Sequence, residues 1–207
     1  MKRAILTGFE PFGPYQFNPV QDTTREYDGR TIKDIEITGL VLPCTYYGAF
    51  EVLSEKIDQL SPDIIINTGL ASRVKRIRLE AIGRNIMNGK YPDADGKEPK
   101  NEQIIPGGKS RYLTNANNIE LANILYEYGI SSEISVDAEG FICNSLLYLT
   151  ARRINEEKLP ISHAFFHTPW TEDYLDRIEL EKGKVTINKQ DLLKTIEILL
   201  GSIKRQS

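Results

Sequence analysis

Two cysteines and two histidines are all the sulfur–imidazole chemistry this 207-residue chain offers. Cys143 lies in "EGFICNSLLY" (139–148), where a short extended run, "SEISVD", and a turn, "AEG", lead straight into a helical pattern. A thiol at a helix start faces free backbone N–H groups and the positive end of the dipole, which stabilise a thiolate. The same N–H groups can hold a developing oxyanion. The geometry is analogous to the strand–turn–helix elbow that presents the nucleophile of serine hydrolases. Cysteine is also a common buried residue, so packing stands as the alternative.

A cysteine nucleophile needs an imidazole to take its proton and a third group to orient that imidazole. His167 ends the apolar run "ISHAFFH" just before Thr168 and Pro169, at the carboxyl edge of a sheet, where ligand crevices open in parallel sheets. His163 sits near the start of that run, at the opposite edge, and reads as structural. Glu80 in "RIRLEAI" (76–82) is the candidate orienting group. Its alternative is a surface carboxylate paired with Arg76 or Arg78. Cys44 follows "VLP" at a strand end, with no histidine near it in sequence, and reads as packing.

Other chemistries lack their residues. His163 and His167, four apart on a strand, lie about 13 Å apart along it, too far for one metal to take both. "IPGGKS" (105–110) lacks the first glycine of a phosphate loop, and no dinucleotide fingerprint follows a strand. No arginine closely follows Cys143, as a cysteine phosphatase would need, and no C-x-x-C is present. The net charge of −3 and pI near 5.6 give no basic excess for nucleic acid or an anionic membrane surface. No apolar run approaches the ~20 residues of a membrane span. The N-terminal apolar run is too short for a signal-peptide core. Reduced thiols in a cytoplasmic protein are therefore expected.

The elements that must position these residues alternate between strand and helix. "RAILTGF" and "PDIIINTGL" are compact apolar runs, the pattern of strands buried on both faces. "DIEITGLVLP" and "RIRLEAI" read as further strands; in the second, Ile77, Leu79 and Ala81 share one face, with Arg76, Arg78 and Glu80 on the other. Asn18-Pro19 predicts a helix N-terminus after a proline-rich loop. Phe50, Leu53, Ile57 and Leu60 mark one amphipathic helix. Helices are also predicted over 115–129 (closed by Gly129), over 143–158, and over 188–205 with Asn188 as its cap. Residues 87–110 are rich in Gly, Pro, Asp and Lys and predict a long, functional or disordered loop. Such alternation implies an α/β fold with a mainly parallel sheet and helices on both faces.

Four segments then stand together. "TGFEPFG" followed by Asn18-Pro19, "LEAIGRNI", "GFICNSLLY" and "FFHTPW" resemble, in order and spacing, the signatures of the pyroglutamyl peptidase I family of cysteine peptidases. The resemblance implies a Cys143–His167–Glu80 triad, no cofactor, and cleavage after an N-terminal pyroglutamyl residue. It also implies one α/β domain over 1–207 with a twisted central sheet, and a cytoplasmic homotetramer. Phe9 and Phe12 match the family's pocket phenylalanines and Asn18 its loop asparagine; Phe141 and Ile142, just before the nucleophile, become pocket wall. Such a pocket suits pyroglutamate, a flat uncharged lactam, which needs apolar walls and a few hydrogen-bonding groups. The Cys143 N–H, with Lys90 or a neighbouring N–H, would hold the oxyanion.

The chain departs from the family pattern at Leu70 (usually glutamine), Lys90 (usually arginine) and Val20 (often serine). Lysine keeps the charge of arginine without its planar fork. The alternatives are a related amidase with altered acyl specificity and a catalytically inactive binding protein on the same fold.

Overall fold

Strands that are apolar on both faces need a layer of helix on each side. That arrangement is present in the computed structural model, which describes residues 1–177 and 186–203. The order is β1 (Lys2–Phe9), α1 (Pro19–Tyr27), β2 (Thr31–Ile32), β3 (Ile35–Leu42), α2 (Gly48–Leu60), β4 (Ile64–Leu70), β5 (Ile77–Glu80), β6 (Ile82–Arg84), β7 (Met87–Asn88), β8 (Lys100–Glu102) and β9 (Arg111–Leu113). There follow α3 (Asn118–Glu127), β10 (Ser132–Ser135), α4 (Ile142–Glu156), β11 (Ser162–Thr168), β12 (Trp170–Thr171), β13 (Thr186–Ile187) and α5 (Lys189–Ser202). Positions 204 and 205 of the predicted terminal helix lie outside the described residues.

Seven strands form the central sheet in the order β10-β5-β11-β4-β1-β3-β2. β3, β1, β4 and β11 are mutually parallel. β5 runs antiparallel to β11, β10 is parallel to β5, and β2 is antiparallel to β3. One sheet face carries Ile5, Ile65 and Phe165 against α2 (Leu53, Ile57) and α4 (Leu146, Leu147, Ala151). The other carries Leu6, Ile66 and Phe166 against α1 (Tyr27), α3 (Leu121, Leu125) and α5 (Leu192, Ile196, Leu199). Each such side chain, fully buried, contributes about 1.5–3 kcal/mol.

Local signals set several boundaries. The Asn18 side chain accepts from Val20 N and Pro19 is the first residue of α1; Asn117 and Asn188 cap α3 and α5 in the same way. Gly129 closes α3 with φ +75°, a conformation that favours glycine.

Residues 87–110 differ from expectation. They contain β7 and β8, paired antiparallel, and Asp93 ties their tip down by accepting from Tyr46 N at 3.1 Å and Lys97 N at 2.8 Å. Strands this short have no hydrophobic period to read, and the polar fastenings are non-local.

Candidate active site

Cys143 is the second residue of α4, which begins at Ile142. The turn before it is built by polar contacts. The Asp137 carboxylate accepts from Glu139 N at 2.8 Å and pairs with Arg84, whose guanidinium also donates to Glu139 O. Glu139, not Gly140, takes the left-handed conformation, with φ +62°. Gly140 serves a close approach instead: a Cβ there would meet Asn88 N at 2.9 Å, and Asn88 N donates to Gly140 O at 2.7 Å.

Phe141, the N-cap of α4, gives no side-chain cap, so the first N–H groups of the helix keep free donors beside the sulfur. Asn144 anchors this end. Its amide accepts from Arg84 N at 2.9 Å and donates to Arg84 O at 2.9 Å and Ile86 O at 2.8 Å. Ser145 Oγ donates to Tyr46 O at 2.6 Å.

His167 and Glu80 meet because β5 runs antiparallel beside β11. Glu80 lies opposite Phe165 and Arg78 opposite His167. Directly opposed residues of an antiparallel pair share a face, and diagonal neighbours are within reach of long side chains. Glu80 Oε1 accepts from His167 Nδ1 at 2.8 Å. The surface-carboxylate alternative fails: Glu80 is 0 % exposed, and Arg78 pairs with Glu133 at 2.8 Å instead. With Nδ1 donating to Glu80, Nε2 faces Cys143. Gly69, opposite His167 on β4, locates the pair: a Cβ built there would lie 2.8 Å from Cys143 Sγ and 3.1 Å from His167 Nε2. Burial alone would depress the His167 pKa; the charge and hydrogen bonding of Cys143 and then Glu80 outweigh it and raise the value to about 10. Both neighbours therefore favour the protonated form of the imidazole beside the sulfur.

These three residues line a cavity of about 270 Å³, together with Phe9, Phe12, Asn18, Lys90, Phe141 and Ile142. Phe12 and Phe141 have ring centroids 6.1 Å apart, and Tyr46 meets Phe141 edge-on at 5.8 Å. Asn18 lines the cavity with its amide already engaged: Oδ1 caps α1 and Nδ2 donates to Glu10 O at 3.1 Å. It shapes the loop wall. Lys90 is exposed at the rim, with Nζ 5.3 Å from the Tyr91 ring centroid. Leu70 packs with Trp170 and Tyr174 and offers the cavity an apolar surface.

Cys44 is buried, as its packing role predicts, yet it also forms cavity wall. Its thiol donates to Glu10 O at 3.2 Å, and burial, followed by the charge of Cys143, pushes its pKa far up. His163 lies outside the cavity. Its Nε2 accepts from Asn67 Nδ2 at 3.1 Å, and burial lowers its pKa to about 3.

Sequence pattern alone does not mark Gly69, Arg84, Asn144 or Ser145 as site residues. Asn144 and Ser145 follow the cysteine directly, and two polar residues on a helix that buries every side of its first turns were the available signal. Gly69 and Arg84 act through partners far away in the chain. Among the described residues, no group of three or more His, Cys, Asp or Glu side chains could hold a metal ion.

Comparison with known proteins covers nearly the whole chain. A family model described as pyroglutamyl peptidase matches residues 2–205. Pyrrolidone-carboxylate peptidase from Pyrococcus furiosus is 34% identical over 184 residues, 88% of each chain. The enzyme of that name from Enterobacter sp. is 28% identical over 100% of this chain and 95% of its own. The solved structure of pyrrolidone carboxyl peptidase from Thermococcus litoralis superposes with a TM-score of 0.91 at 30% identity, covering 97% of this chain and 92% of that one.

Proposed function

The chain belongs to the pyroglutamyl peptidase family, whose members remove N-terminal pyroglutamyl residues from peptides, and we propose that it does so by cysteine acyl transfer at Cys143, His167 and Glu80. The observation that carries this reading is the His167–Glu80 hydrogen bond of 2.8 Å beside the Cys143 sulfur, at the wall of an aromatic cavity.

The Cys143 thiolate attacks the pyroglutamyl carbonyl carbon while the former thiol proton resides on His167. The carbonyl oxygen becomes an oxyanion, held by the free N–H of Cys143 at the start of α4 and by the Lys90 ammonium. Collapse breaks the C–N bond, and the leaving amine takes the proton from His167 Nε2. Water, deprotonated by His167, then attacks the thioester carbon, releasing pyroglutamate and restoring the thiolate–imidazolium pair. Glu80 keeps Nδ1 donating throughout, so Nε2 always faces the sulfur.

The cavity suits the substrate. It is small, and Phe9, Phe12, Phe141, Ile142 and Leu70 supply the apolar walls a lactam ring needs.

The proposal extends to residence in the cytoplasm and assembly as a homotetramer, both carried by the family resemblance; light scattering of the purified protein tests the second. No helix among the described residues is long and apolar enough to cross a membrane. Hydrolysis of a pyroglutamyl fluorogenic amide tests the chemistry. Wild type is expected to turn it over in preference to acetyl-amino-acyl amides, and Cys143→Ala to lose turnover. Undiminished turnover in Cys143→Ala would overturn the mechanism.

A further inference from the structure

Gly69 is the penultimate residue of β4, buried, and lies beside His167 of β11. A glycine inside a strand weakens it, so it needs a reason. Conformation is not the reason, because Gly69 is absent from the glycines with positive φ. Close approach of backbone is the reason at other strand glycines. A Cβ on Gly8 would strike Val20 O at 2.2 Å, and one on Gly39 would strike Thr24 O at 2.4 Å, so both let α1 settle on the sheet. At Gly69 the nearest atoms are instead Cys143 Sγ at 2.8 Å, His167 Cδ2 at 2.9 Å and His167 Nε2 at 3.1 Å.

We propose that Gly69 is a positioning residue for the acyl transfer: its missing side chain is the slot in which the Cys143 sulfur and the His167 imidazole come together. The inference rests on the cysteine mechanism proposed above. A methyl group at 69 must displace one of the two. The imidazole is the stiffer partner, pinned by Glu80 at 2.8 Å and packed edge-on against Phe165 at 5.1 Å. The helix start cannot retreat, because Asn144 and Ser145 bolt it to β6 and to Tyr46. The sulfur therefore yields, by rotating about its Cα–Cβ bond away from Nε2. Separation weakens the charge interaction with Cys143, the largest of the influences that raise the His167 pKa.

Gly69→Ala is the test, read three ways. Its kcat/KM on the pyroglutamyl amide is expected to fall about 10²-fold, the scale of an ångström's misplacement at a reacting centre. Alkylation of Cys143 by iodoacetamide near neutral pH is expected to slow about tenfold, since only the thiolate reacts. The alkaline limb of kcat/KM, which reports loss of the His167 proton, is expected to move to lower pH. Unfolding midpoints of Gly69→Ala, Cys143→Ala and the double variant complete a cycle. Alanine at 69 should destabilise less when the sulfur is gone.

Equal costs in both backgrounds, with unchanged alkylation and pH limb, would overturn the inference. So would a double variant that fails to fold, because the glycine would then serve the fold itself. A wild type that does not cleave pyroglutamyl amides would sink the peptidase reading, while the alkylation comparison still decides the role of Gly69.

Discussion

Replacing Glu80 by glutamine keeps the shape of the side chain and removes its charge. The carboxylate is 0 % exposed and accepts from His167 Nδ1 at 2.8 Å. Hydrogen bonds to charged groups contribute about 1.5–3 kcal/mol and neutral ones about 0.5–1.5. The exchange therefore removes about 1–1.5 kcal/mol from the imidazolium form, equivalent to about one unit of its pKa. The His167 value of about 10 results from Cys143 and Glu80 overcoming burial, so a variant without the Glu80 charge has less to set against burial.

Glu80→Gln is expected to lower kcat/KM about 10- to 100-fold and to shift the alkaline limb of its pH profile downward by about one unit or more. Stability follows the same sign. A histidine whose folded pKa is raised stabilises fully below its unfolded value of about 6.5, and that contribution is lost as pH rises towards about 10. Glu80→Gln should flatten this decline. The assays are kcat/KM against pH for the fluorogenic amide and urea midpoints from pH 6 to pH 10 for both proteins. An alkaline limb in its wild-type position, with activity within threefold, would refute the assignment of Glu80 as the orienting group.

His163 works in the opposite direction: its pKa is lowered to about 3 by burial, so between about 6.5 and 3 the unfolded chain binds the extra proton. Stability should fall by about 1.4 kcal/mol for each unit the pH drops through that window, and urea midpoints of His163→Gln should lose one proton's worth of this slope. Asn144→Ala leaves the Arg84 N–H and two carbonyls without their partner in a buried site, and should lower stability by about 3 kcal/mol in urea unfolding and reduce kcat more than it changes KM. Lys90→Met should lower kcat about tenfold with little change in KM, the mark of a group that acts on the transition state; a rise in KM at constant kcat would place Lys90 in ground-state binding instead.

The main parts of this fold announce themselves locally. β1 and β4 are continuous apolar runs because both faces are covered, and α4 shows its stripes because Leu146, Leu147, Ala151 and Ile154 all meet the core. Asn18, Asn117 and Asn188 cap helices through bonds two or three residues away, so their roles are written within a few positions. Lys100–Glu102 leaves no mark in the sequence because a three-residue strand has no period, and its partner lies beyond a tip held by Asp93.

The placing of Cys143 at a helix start and of His167 at the end of a strand followed from sequence, because both depend on pattern along one segment. The state of Glu80 did not. "RIRLEAI" alternates like a half-exposed strand, and only the antiparallel insertion of β5 between β10 and β11 buries Glu80 diagonally from His167. Cys44 as cavity wall and Gly69 as a slot between sulfur and imidazole likewise depend on neighbours dozens of residues away. Sequence by itself determined which residues could ionise and which elements would carry them, since those are properties of local backbone and periodicity. Tertiary structure alone decided which of them share a face, how dry that face is and how closely their atoms approach. Strand order, strand direction and desolvation set those quantities, and none of them is a local property of the chain.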